Sequence, residues 1–226
     1  MPSWNIHTAH VEGLLATQSA AELGIEDVDA FLFGNFVPDI YVGYVVPDVS
    51  HKIPYKDTHL VDPTFIPSPN AALFYERYLM GECTDVVLGA WTHLLCDHYY
   101  NRRTNEYISR IGVAPGEQTR IRKQSDFDAF GRTLSISRVP KASEGILSQC
   151  KEFPQYAIGE QDVLATIRAQ EGIVHRNAAE HLDAEPEYCL LTQEFFESTY
   201  RQVDSVLREA FRLRASGVAP LELGRA

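Results

Sequence analysis

Apolar residues recur along this chain every three to four positions, the spacing that lines one face of an α-helix. Over residues 8–23 they are Val11, Leu14, Leu15 and Ala20, with Gly24 as a stop. Residues 27–33 predict a short helix capped by Asp27, and residues 70–80 predict another, carrying Leu73, Phe74 and Tyr78. A run that turns apolar near Val86 predicts a long helix over 84–107. The break at 112–116 holds Pro115 between glycines, after which helical spacing resumes through Phe127, Phe130 and Leu134. Further short elements fall between Pro140 and Pro154 and over 161–170. Residues 188–214 form a strongly amphipathic scaffold helix with Leu191, Phe195, Tyr200, Val203 and Leu207 on one side. No segment alternates convincingly with the period of a strand. The pattern predicts an all-α, single-domain bundle over 1–226. Residues 1–107 would carry the chemistry, 108–226 would be mainly scaffold, and the tail after Ser216 would be loose.

Polar residues interrupt this pattern at telling places. His93 and Asp97 lie four apart inside the long apolar run, hence on one face of its helix. Buried there without partners they would be costly. A hydrogen bond between them is one solution, and a shared cation is the other. Asp39 stands among Phe36, Val37, Ile40 and Tyr41. Pro38 biases Val37 away from helix, so Asp39 is expected on a turn. Residues 43–69 form a long connection with prolines at 47, 54, 63, 67 and 69. Connections of that length inside a domain tend to be functional. Within it, His59 reads as a further ligand and His51 as a residue at the rim of a pocket. His7 opens the first helix. His7, Asp39, His59, His93 and Asp97 together supply the imidazoles and carboxylates that zinc and other divalent first-row metals prefer. Downstream, Glu171 and His175 share a helix face and are the grouping that could offer a second metal site, with a polar helix face as the favoured reading; Glu180 and His181 are adjacent and diverge. Arg102 and Arg103 read as a solvated helix end, and Arg120, Arg122 and Lys123 as a surface cluster.

Composition narrows the function. The 226 residues carry a formal charge of −11, which argues against a surface that coats long nucleic acids. No apolar run is long enough to span a membrane. The N-terminal residues lack the basic start and apolar stretch of a leader. Cys83, Cys96, Cys150 and Cys189 are widely spaced. A cytoplasmic chain with free thiols is therefore the expectation.

Four pieces resemble the bacterial zinc-dependent phospholipase C family and its wider relatives. They are Met1-Pro2-Ser3-Trp4-Asn5-Ile6-His7, Phe33-Gly34-Asn35-Phe36-Val37-Pro38-Asp39-Ile40, Asp57-Thr58-His59-Leu60 and Leu88-Gly89-Ala90-Trp91-Thr92-His93-Leu94-Leu95-Cys96-Asp97, within roughly the first half of the chain. The resemblance implies an all-α fold and zinc-dependent phosphodiester hydrolysis. It implies one zinc on His59, His93 and Asp97, and a neighbour to which His7 and Asp39 contribute through a shared carboxylate. The chain departs from the family at two points. Trp4 is internal, whereas the family's mature enzymes begin with a Trp whose amine ligates zinc. The family's later His-x-x-x-Glu pair has no counterpart, since Ala179 follows His175 by four. One or two ions are expected rather than three, with manganese, iron and nickel as alternatives to zinc. The expected activity is hydrolysis of a small phosphoester by a metal-activated water. Asp39 would bridge or orient, and His51 or His98 would protonate the leaving oxygen. The alternative is a non-catalytic metal-stabilised protein, in which the ion only staples the Pro-rich loop to the helices. The sequence does not fix the oligomeric state.

Overall fold

A computed structural model describes residues 2–61 and 64–225. Pro63 and Met1, both used in the sequence reading, lie outside them. Among the described residues the fold is all-helical and contains no strand. The helices are α1 (Trp4–Thr17), α2 (Ala20–Leu23), α3 (Val28–Gly34), α4 (Val37–Ile40), α5 (Tyr55–Thr58) and α6 (Ala71–Tyr78), followed by α7 (Asp85–Arg110), α8 (Glu117–Thr133), α9 (Glu144–Glu152), α10 (Glu160–Ala179) and α11 (Gln193–Ala215). Two 3₁₀ turns, Pro154–Tyr156 and Leu221–Leu223, punctuate the second half. Among the described residues no helix is long and apolar enough to cross a membrane.

The axis of the fold is α7, 26 residues long, or about 39 Å. Every residue from Asp85 to Asn101 is buried, because α3, α4, α6, α9 and α11 surround it. A helix buried on all sides need not be amphipathic, which is why His93 and Asp97 end in the interior. Thr84 begins it, its hydroxyl accepting from the Val87 amide. Trp91 fixes two neighbours at once. Its indole donates to the Ala71 carbonyl of α6 at 3.1 Å and its ring meets Phe211 of α11.

The crossing of α3 over α7 is made by two glycines. A Cβ on Gly89 would sit 2.2 Å from the Phe31 carbonyl oxygen, and one on Gly34 would sit 2.2 Å from the Val86 carbonyl oxygen. The helices therefore touch backbone to backbone. That approach brings the Asn35 carbonyl, just past the end of α3, within 2.9 Å of His93 Nδ1.

Four segments differ from the sequence expectation, one being α10, which continues to Ala179 instead of ending at Gln170. The first helix stops at Thr17, because Ser19 starts α2 with a capping box closed by Glu22; it also begins earlier, so His7 lies inside it. Asp39 is helical, on α4, with Pro38 in the first turn, where its missing N–H costs nothing. The tail is packed rather than loose. Gly224 lies against Ala71 and Ala72, and its carbonyl accepts from the Ala72 amide at 3.0 Å.

Candidate metal centre

Three helices and the C-terminal cap of a fourth place the five ligand candidates in a single buried cluster. His7 comes from α1, Asp39 from α4, His93 and Asp97 from α7, and His59 caps the C-terminal end of α5. The three imidazoles and Asp97 have no exposed surface, and Asp39 is 3% exposed. His59 Nε2 lies 3.6 Å from Asp39 Oδ1 and 3.4 Å from Asp97 Oδ2. His93 Nε2 lies 3.8 Å from Asp39 Oδ2 and 3.8 Å from Asp97 Oδ2. On the far side of Asp97, Oδ1 stands 3.2 Å from His7 Nε2. The ring of His7 stacks on that of His93, centroids 3.9 Å apart.

The hydrogen bonds outside the cluster set which atoms face its centre. His93 Nδ1 donates to the Asn35 carbonyl. The Thr58 hydroxyl donates to the Tyr55 carbonyl and so accepts from His59 Nδ1 at 2.7 Å. In the neutral rings, Nε2 of both histidines is then a bare lone pair aimed at carboxylate oxygens. Nε2 of His7, His59 and His93, with Oδ1 of Asp39 and Asp97, are buried atoms that no protein group satisfies. Lone pair facing lone pair in a dry interior is repulsive, and a cation between them reverses the sign. The spacing fits one. Bonds of about 2.0–2.1 Å put tetrahedral donors roughly 3.3–3.4 Å apart, against 3.4–3.8 Å around Asp39, His59, His93 and Asp97. Two groups able to hold an ion emerge, His7–His93–Asp97 and Asp39–His59–His93. They share His93, whose Nδ1 is already engaged, and Asp97 reaches both with its two oxygens. His59, His93 and Asp97, which the family resemblance would put on one ion, also meet here, with both imidazole Nε2 atoms 3.4–3.8 Å from Asp97 Oδ2.

The electrostatics agree with a cation-holding site. Burial, then the adjacent His7, pushes His93 down to about 4 against the pull of Asp39 and Asp97. Burial opposes ionisation of Asp97, but His59 and His7 hold its carboxyl well below the usual range. Two residues that the sequence reading missed brace the carboxylates. Trp4, stacked on Phe36, donates its indole N–H to Asp39 Oδ2 at 3.0 Å. Tyr55 stacks on His59 and donates to Asp97 Oδ2 at 3.4 Å. An indole at i−3 from His7 is the signal that was available for Trp4.

A cleft of about 870 Å³ descends to this cluster, with Trp4, Asp39, Tyr55 and Asn101 among its lining. Arg120 and Lys123 of α8 and Arg176 of α10 line it too. Lys123 is therefore buried in the cleft wall rather than part of a surface cluster. Arg122, by contrast, is spent on the Cys189 carbonyl.

The remaining candidates lie elsewhere. His51 is exposed, stacked on Tyr41, and its Nδ1 donates to the Ser50 hydroxyl, which in turn donates to Asp162. His98 is buried on another face of α7 and donates from Nδ1 to the Pro69 carbonyl at 2.9 Å. Neither lines the cleft, so neither is placed to protonate a leaving group there. Glu171 and His175 are exposed on α10, and Glu180 and His181 pair with Arg132 and Asp183. None of these four joins a metal-holding group among the described residues. All four cysteines are free. Comparison with protein-family models, curated proteins and solved structures returned no match for the chain.

Proposed function

We propose that the protein is a metal-dependent hydrolase of phosphoester bonds in a small substrate, with zinc as the first choice of ion. The observation that carries this reading is the convergence of three imidazole nitrogens and one oxygen of each of two carboxylates, all buried and unsatisfied, beneath a cleft that Asp39 lines. A purely structural ion would be enclosed, whereas this cluster has a route to solvent past Asp39 and Tyr55. The resemblance of the Gly-Asn-x-x-Pro-Asp and Thr-His-x-x-x-Asp pieces to the zinc-dependent phospholipase C family supports the same chemistry.

A divalent ion held by His7, Asp39, His59, His93 and Asp97 would polarise phosphoryl oxygens and lower the pKa of a bound water towards about 7. The residues do the rest. Asp39 stands between cluster and cleft, fixed by Trp4, and is the group placed to orient an attacking water. Asp97 keeps its charge through contact with His7, His59 and Tyr55. The Tyr55 hydroxyl, its pKa pushed well above normal by burial and by the Asp97 and Asp39 charges, stays protonated and keeps its one proton on Asp97.

The rival reading, an ion that only staples the Pro-rich loop, has less to explain. Asn101 donates to the Pro67 carbonyl at 2.8 Å, Asn105 to that of Ile66 at 2.7 Å, and His98 to that of Pro69. The loop is already tied to α7 without an ion.

The test is elemental analysis of the purified protein, followed by assay of bis(p-nitrophenyl) phosphate before and after chelation. Bound metal with restorable turnover is expected. A protein that retains no divalent metal and gains no activity on metal addition sinks the reading.

A further inference from the structure

The cleft wall away from the cluster is cationic in a chain of formal charge −11. Arg120, Lys123, Arg132 and Arg176 all line it. Two of the four are occupied. Arg120 grips Glu117 at 2.8 and 2.5 Å, and Arg132 leans to Glu180 at 3.8 Å. Among the described residues, no carboxylate lies within ion-pair distance of Lys123 or Arg176. Asp128, the other acidic group on this wall, accepts from Gln124.

Lys123 is the unusual member. Its side chain is 7% exposed, with Nζ 5.6 Å over the Phe127 ring. An ammonium buried without a counter-ion is costly, and burial pushes its pKa down. A lysine meant only for solubility would reach into water. This one lines a cleft whose wall also carries Arg176 of another helix. An oxyanion between α8 and α10 would neutralise both. The cleft is also far larger than one phosphate needs, near the upper end of small-molecule sites.

We infer that Lys123 and Arg176 form a second anion subsite, so that the substrate is a phosphoester bearing an additional anionic group, phosphate or carboxylate, away from the reacting phosphorus. The apolar rim residues Tyr44 and Phe65, 84% and 38% exposed, border the space between and suit the uncharged body of such a molecule. The identification as a substrate site rests on the hydrolase reading; the anion subsite itself does not.

The experiment separates the two. Sulfate is titrated into chelator-treated protein, in which the cluster is anionic and repels it. One sulfate per chain is expected, with affinity falling by about 10-fold or more in Lys123→Met and in Arg176→Gln. Arg176 is exposed, so its variant folds even if the buried lysine proves sensitive. No sulfate binding, or unchanged affinity in Arg176→Gln, overturns the subsite whatever the protein hydrolyses. With metal restored, a diester carrying an extra terminal phosphate is expected to exceed a matched plain diester in kcat/KM by about 10-fold, an excess that Arg176→Gln removes. Equal turnover of the two diesters overturns the substrate assignment. Sulfate binding as described, in a protein that cleaves neither diester, sinks only the hydrolase reading.

Discussion

The imidazole of His7 lies flat on that of His93, centroids 3.9 Å apart and planes 10° apart, with both Nε2 atoms turned toward Asp97. Two imidazolium rings in that arrangement would repel in a medium of low dielectric. The pair therefore suits neutral rings facing a metal. His93 belongs to both metal-holding groups and His7 to one; with Nδ1 bonded to Asn35, His93 has one free nitrogen and serves one ion at a time. His93→Ala is expected to abolish stoichiometric metal retention after dialysis, and His7→Ala, which leaves Asp39, His59 and His93 together, to weaken it. Metal analysis of the two variants side by side checks this; equal losses would contradict the central place of His93.

Trp4 touches Asp39 through one hydrogen bond and Phe36 through its ring. Trp4→Phe keeps an aromatic ring and deletes the donor. Groups that orient a ligand from behind typically contribute about 10–100-fold in metal affinity, so a loss of that size is expected from competition with a chelator. Stability should fall by about 1.5–3 kcal/mol in the metal-free protein, read from urea unfolding.

Gly89 is the contact point of α3 and α7. In Gly89→Ala the new methyl would lie 2.2 Å from the Phe31 carbonyl oxygen and 2.8 Å from the Asn35 amide nitrogen. Backbone has to move, at a cost of about 3 kcal/mol or more, and the Asn35–His93 bond moves with it. Gly13 is the control. It lies within α1, where an added Cβ meets nothing within 4 Å, so Gly13→Ala should stabilise by about 0.5–1 kcal/mol. Thermal unfolding of both variants, with metal retention of the first, tests the pair.

Acid should destabilise the fold through His10. Its Nδ1 donates to Asp204 at 2.7 Å and its Nε2 accepts from Tyr100 at 3.0 Å, a neutral ring satisfied at both nitrogens. Burial lowers its pKa below 6.5, although Asp204 opposes the shift. The unfolded chain then takes up the proton first. The stabilising contribution is complete above about pH 6.5 and is lost as pH falls below it, by up to about 1.4 kcal/mol per pH unit. Asp204→Asn removes the opposing charge and should extend the loss to lower pH. Urea midpoints between pH 7 and 5 measure it; a flat profile in both proteins would rule this out.

Much of the cluster was legible because each ligand broke an apolar pattern. His93 and Asp97 betrayed themselves by spacing alone, and Asp39 by its neighbours. What spacing could not show was which surface each helix covers. Lys123 read as part of a surface cluster, and the packing around α8 buries it instead. Asp39 was expected on a turn because Pro38 ordinarily excludes helix before it, a rule that weakens in a first helical turn. His98 was expected to protonate a leaving oxygen, but its place about 100° of helix rotation from Asp97 turns it to the loop, where it bonds the Pro69 carbonyl. The packed tail was invisible because it depends on one missing Cβ, that of Gly224 against Ala72.

The placement of Trp4 has an optical consequence. The chain holds two tryptophans, one sealed against α6 and α11, the other bonded to a carboxylate of the metal cluster. Indole emission responds to nearby charge and to loss of its hydrogen bond. The protein thus carries its own fluorescent reporter of ion loading, and Trp4→Phe, which leaves Trp91 alone, is the matched blank.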